Sequence, residues 1–202
     1  MYIETSVIAD WLFVATMLPR SRRKLRKGVH LSYQLLEQIL KGRFQDEFVT
    51  SFWAILEAVG ALKRSRIEFN MLTQNINLGY YHDLKDKSGF KIDTYQVREI
   101  VKLVDRLDKA HENRRLIWSQ KGVEFTPALR LITIGLDPPD AIHVVFATIE
   151  NCDFFVTKDN DFLKRKDTLS KYTEVLSPAT AFQKLNARRR TRNIPDIKPM
   201  PR

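Results

Sequence analysis

The sequence predicts an α/β domain: a parallel β-sheet flanked by helices, with an enlarged central helical segment. Three observations carry this reading. Short apolar segments alternate with longer amphipathic ones along the chain. Asp153-Phe154-Phe155-Val156-Thr157 is apolar without period-two alternation, as in a strand covered on both faces. Residues 66–118 read as helix throughout.

In order, Met1-Tyr2-Ile3 is a short strand, and Ser6 is placed to cap a helix over 7–18 that Pro19 ends. Residues 29–41 place Leu31, Leu35, Leu36, Ile39 and Leu40 on one helical face, and Gly42 stops them. Phe48-Val49-Thr50 is a second strand, after which Ser51 caps a helix over 52–63. Helices follow at 66–78 and from Thr94 to about Ile117. Thr126-Pro127 opens a short helix that ends at Gly135. Asp137-Pro138-Pro139 opens the next, with Asp137 as N-cap and a proline at the first helical position. Glu174-Val175-Leu176 is the last strand, and Pro178 opens a helix to about Leu185. This gives one domain over 1–187, with 66–118 as a helical elaboration inside it. The composition of 188–202 predicts a basic, disordered tail.

The chain has 202 residues, with 34 Lys and Arg against 24 Asp and Glu, a net charge of +10. That surplus favours a polyanionic partner, nucleic acid above all. A single cysteine, Cys152, excludes a disulfide within the chain and a cysteine-based zinc site. His30, His82 and His111 show no metal-binding spacing, and no phosphate-binding glycine loop is present. The apolar stretch at 7–18 is too short to span a bilayer and carries Asp10; its basic residues follow it, the wrong order for a signal peptide. The expectation is a cytoplasmic protein with no membrane segment.

In an open parallel sheet, ligands bind beyond the C-terminal strand ends, at the point where strand order reverses. The polar residues expected there are mostly acidic. Glu4 follows the first strand, and Glu57 lies in the helix after the second, among Ala54, Ile55, Ala58 and Val59. Asp140 lies in the first turn of an apolar helix, and Asp159 and Asp161 follow the strand at 153–157. An acid in a first helical turn also stabilises the helix dipole, so each has a structural reading when taken alone. Taken together, crowded carboxylates must protonate or share a cation. Oxygen ligands select hard ions, Mg²⁺ or Mn²⁺, which suit phosphodiester hydrolysis. His143 is read as a hydrogen-bonded core histidine.

Four motifs then resemble the PIN-domain family of metal-dependent ribonucleases. They are Glu4-Thr5-Ser6, Glu57, Asp140-Ala141-Ile142-His143, and Val156-Thr157-Lys158-Asp159-Asn160-Asp161-Phe162, closed by Leu176-Ser177-Pro178. The resemblance covers about residues 1–185 and implies a PIN-like sheet and a metal-dependent endoribonuclease. It implies Glu4, Glu57, Asp140 and Asp159 as catalytic metal ligands, with Asp161 supporting a second ion. Thr5, Ser6 and Thr157 would hold ligands or water. Relatives of this kind are toxins of toxin–antitoxin pairs, often homodimers, or RNA-processing enzymes, so an antitoxin and a second copy are implied partners.

The family's first acid is usually aspartate, and here it is Glu4. One extra methylene moves the carboxylate by about 1.5 Å, and a displacement on the order of 1 Å can cost about a hundredfold in rate. The alternative expectation is therefore a catalytically weakened RNA- or protein-binding module of the same fold. A basic run, Arg20, Arg22, Arg23, Lys24, Arg26 and Lys27, is expected to contact RNA phosphates. The helical segment 66–118 is expected to serve as a partner platform, an RNA clamp or a dimer surface.

Overall fold

A computed structural model describes residues 1–16, 27–87, 94–123 and 125–192. Its strands are β1 (Tyr2–Ile3), β2 (Val49–Ser51), β3 (Ile117–Ser119), β4 (Phe154–Val156) and β5 (Glu174–Leu176). The first helices are α1 (Thr5–Ala15), α2 (Lys27–Leu40), α3 (Phe52–Thr73), α4 (Tyr81–Leu84) and α5 (Thr94–Glu112). They are followed by α6 (Phe125–Thr133), α7 (Pro138–Ile149), α8 (Asn160–Lys164), α9 (Lys166–Leu169) and α10 (Pro178–Arg192). The five strands form one sheet in the order β3-β2-β1-β4-β5, and every pairing is parallel.

Alternation along the strands divides the core. Ile3, Phe154 and Val156 point to one face, where Trp11, Leu36 and Ile55 come from α1, α2 and α3. Tyr2 and Phe155 point to the other face and meet Leu131, Val144 and Phe162 from α6, α7 and α8. Both sheet faces are covered, so strands of two or three residues carry no exposed polar alternation. A polar knot ties the first face together. Trp11 Nε1 and Arg106 Nη2 donate to Glu37 Oε1 at 2.9 and 3.0 Å, while Lys41 lies 3.3 Å from Oε2.

Several expectations are corrected. The helices expected at 52–63 and 66–78 are one helix, α3, to Thr73. The charged run Lys63-Arg64-Ser65-Arg66 continues the helix rather than breaking it, and Arg66 donates to Thr16, the C-cap of α1. The span 66–118 is not all helix. It ends in β3, which pairs with β2 after Arg114 turns the chain at φ 53°. The cap of α1 is Glu4, whose side chain accepts from the Ser6 N–H, and Ser6 is not the cap. Asp137 occupies the N-cap position of α7 without a side-chain cap bond. The last helix runs past Leu185 to Arg192, and Arg188 donates to Asp46 at 2.7 Å instead of opening a tail. Residues 193–202 of the expected tail lie outside the described residues.

An apolar groove of about 600 Å³ lies between α3 and α5, lined by Phe52, Leu56, Val59, Val97, Val101 and Val104. Among the described residues, no helix is long and apolar enough to cross a membrane.

Candidate functional site

The strand order reverses between β1 and β4, so the crevice of the sheet opens beyond Ile3 and Val156. Glu4 follows β1 directly, and its N–H donates to Val156 O at 3.1 Å. Thr157 follows β4. The Thr157 hydroxyl donates to Glu4 Oε2 at 2.9 Å and accepts the Asp159 N–H at 2.9 Å. Ser6 donates to the same Glu4 oxygen through N (2.9 Å) and Oγ (2.5 Å). Three donors therefore converge on Glu4 Oε2, which both caps α1 and ties it to the end of β4. Asp159 Oδ1 accepts the Asp161 N–H at 2.7 Å, so Asp159 caps α8.

Glu57 is positioned from the other side. Ser51 ends β2 and caps α3, its Oγ accepting the Ala54 N–H at 3.1 Å. One and a half turns on, Glu57 Oε2 accepts from Thr5 Oγ1 at 2.8 Å and from His143 Nε2 at 2.6 Å. The opposite ring nitrogen, Nδ1, lies 3.0 Å from Tyr2 Oη, which lies 2.9 Å from Ser51 Oγ. With the serine oxygen already holding the Ala54 N–H, one arrangement uses every proton: Ser51 to Tyr2, Tyr2 to Nδ1, and Nε2–H to Glu57. His143 is 1% exposed and Tyr2 is fully buried, so this line of bonds runs beneath the cavity out of water. Burial pulls the Glu57 carboxyl upward, but the hydrogen bond from His143, with those from Thr5 and Trp53, holds it below its ordinary value.

Glu4, Glu57, Asp140 and Asp159 line one cavity of about 650 Å³. Asp140 registers the crowding. Burial, then the charges of Asp159 and Glu4, push its carboxyl up to about 6. Thr5 and Ser6 also line the cavity, whereas Asp161 and Thr157 are not among its lining residues. Thr157 acts on it through Glu4 and Asp159. Of the basic run, Lys27 begins α2, and Arg20, Arg22, Arg23, Lys24 and Arg26 lie outside the described residues.

Three titratable residues outside the expected ligand set also line the cavity: Asp10, Lys158 and His143. Asp10 had a signal, a carboxylate inside an apolar helical run, which seldom goes buried without a partner. Lys158 lies inside the Val-Thr-x-Asp segment, where its neighbours drew the reading. His143 is the hydrogen-bonded core histidine expected, and it also reaches the cavity wall.

The donor chemistry fits a hard divalent cation. The lining carboxylates offer oxygen ligands, and a cation would offset both the burial and the neighbouring charges that raise Asp140. Among the described residues, no three His, Cys, Asp or Glu side chains form a group that could hold a metal ion. Comparison with known proteins adds no relative: no family model, no curated protein and no solved structure matches the chain.

Proposed function

We propose that the protein is a metal-dependent endoribonuclease with a PIN-like fold, hydrolysing RNA phosphodiester bonds with Mg²⁺ or Mn²⁺. The observation that carries the reading is the meeting of Glu4, Glu57, Asp140 and Asp159 in one cavity at the reversal point of the sheet. The net charge of +10 suits a polyanionic substrate despite the acidic site.

In this reading the four carboxylates would hold the ion, and Asp161, next but one to Asp159, would support a second one. When bound, the ion would supply Lewis acidity toward a phosphate oxygen and activate the attacking water. His143 and Thr5 keep Glu57 oriented, and Ser6 and Thr157 do the same for Glu4. Orientation fixed before substrate arrives is what in-line attack demands. Water attacks phosphorus, the bond to the 3′-oxygen breaks, and the products carry a 5′-phosphate and a 3′-hydroxyl. The toxin or RNA-processing role, the antitoxin partner and the homodimer belong to the same proposal.

A second reading has one observation in its favour. Glu4 Oε2 is already committed to three donors, which makes Glu4 a structural cap as much as a ligand. A binding module with weakened catalysis follows from that.

Cleavage of single-stranded and transfer RNA in Mn²⁺ or Mg²⁺, against EDTA and beside Asp140→Ala, separates the two. The nuclease reading expects metal-dependent products that vanish in the variant. RNA bound intact by both proteins would replace it with the binding module.

A further inference from the structure

The cavity carries one ammonium among its described lining residues, and the proposed ligand set leaves it unused. Lys158 Nζ donates to Asp10 Oδ1. The two ends of this pair differ. Asp10 is 7% exposed on α1, whereas the Lys158 side chain is 41% exposed on a four-carbon stem. Its main chain is fixed, because the Lys158 N–H donates to Ser6 Oγ at 2.9 Å and Asp159 beside it is held by Thr157. The second Asp10 oxygen, Oδ2, is buried and has no hydrogen-bond partner among the described residues. The pair is thus a single tether and not a saturated bridge.

An ammonium has three protons, and Asp10 takes one. Five carboxylates line the cavity, Asp10 included, and together they repel an approaching phosphodiester. A cation that leans over this cavity while anchored to its wall offsets that repulsion where the polyanion must enter.

We propose that Lys158 is a phosphate-binding residue: Asp10 holds its ammonium over the acidic cavity, where it bonds a backbone phosphate of single-stranded RNA beside the reacting one. The assignment rests on the ribonuclease reading. It makes Lys158 a substrate contact and Asp10 the positioning residue that restrains it.

The test is binding of a fluorescein-labelled single-stranded RNA by the full chain in EDTA, across a potassium chloride series. The proteins compared are wild type, Lys158→Gln, Asp10→Asn and the double variant. Each phosphate contact adds about 0.7 to the magnitude of the log–log salt slope for a single strand. Lys158→Gln and the double variant are expected to bind more weakly with a slope shallower by about 0.7. Asp10→Asn frees the ammonium from its restraint and is expected to lose about 0.7 of slope although Lys158 keeps its charge, a change that removing a repelling carboxylate alone would not produce. Lys158→Gln leaves a buried carboxylate unpaired and risks unfolding; the double variant removes both charges and then carries the comparison. Should neither fold, Asp10→Asn alone decides, and a slope equal to that of wild type overturns the assignment. An unchanged slope in a folded variant lacking Lys158, with wild type still binding, overturns the phosphate contact and leaves the ribonuclease reading standing. Wild type that binds no RNA at any salt, in EDTA and also with Mg²⁺ or Mn²⁺ present, overturns both.

Discussion

His143 Nε2 lies 2.6 Å from Glu57 Oε2, joining α7 to α3 across the sheet edge with one fully buried partner and one that faces the cavity. Removing the imidazole would take one partner from Tyr2 Oη and one from the Glu57 carboxylate at once, leaving them Ser51 and Thr5. Loss of a partner from a buried polar group costs about 1–3 kcal/mol. We expect His143→Leu to lower stability by about 2–4 kcal/mol in urea denaturation, and Tyr2→Phe by about 1 kcal/mol. Equal losses in the two variants would show that the bond to Glu57 contributes nothing beyond the Tyr2 contact.

Asp140 gives stability a distinct pH dependence. Its carboxyl is raised from 3.8 to about 6, so the folded protein holds this proton more tightly than the unfolded chain does. That contribution is complete below 3.8 and is lost as pH rises through about 6. Since the group is half-buried, the effect is discounted to about 1 kcal/mol. Asp140→Asn should therefore melt at a higher temperature than wild type at pH 7.5 in EDTA, and at the same temperature near pH 4. Adding Mg²⁺ should raise the wild-type melting temperature and leave the variant unchanged. A variant less stable than wild type at pH 7.5 would contradict the assigned repulsion.

Glu4 is long enough to reach Ser6 and Thr157 together. Glu4→Asp withdraws the carboxylate by about 1.5 Å and is expected to lose the Thr157 bond, lowering stability by about 1 kcal/mol. Thr157→Val removes the same bond and also the one from the Asp159 N–H, so it should cost more, about 2 kcal/mol. The double variant should then cost about as much as Thr157→Val alone, since that change already includes the bond lost at Glu4. Additive losses in thermal melts would place the two residues in separate interactions.

At Glu37 the sign reverses. Burial pushes its carboxyl up, but the Trp11 and Arg106 donors and Lys41 outweigh burial and hold it below 4.5. Its stabilisation is present above 4.5 and is lost as pH falls through the lower, folded value. Glu37→Gln should be about 1–2 kcal/mol less stable at pH 7 and lose less stability than wild type on acidification. Parallel acid limbs for the two proteins would assign the acid loss to other carboxylates.

Much of the fold was legible because its signals are local. The run at 153–157 reads as a buried strand, Ser51 reads as a cap, and Gly42, at φ +66°, reads as a stop. What escaped depends on tertiary contact. β3 is a three-residue edge strand reached through a positive-φ arginine, Arg114, a residue type that gives no turn signal. The unbroken α3 is supported by Arg66 reaching Thr16, a contact fifty residues away. In the site, the acids were legible from their positions after strands. The tether of Lys158 to Asp10 was not, because it joins residues from opposite ends of the chain.

Helix α3 divides its sides between two compartments. Glu57, Ala61 and Ser65, spaced four apart, face the acidic cavity. Leu56, Val59 and Lys63 face the apolar groove against α5. A helix turns as a body, so a ligand that rolls α3 by about 20° to close the groove swings the Glu57 carboxylate through roughly 2 Å, given a side-chain radius of about 5–6 Å. On the proposed nuclease reading, a displacement of that size would be enough to spoil attack geometry. One rigid rod thus forms a wall of both compartments, and neither wall could shift without carrying the other.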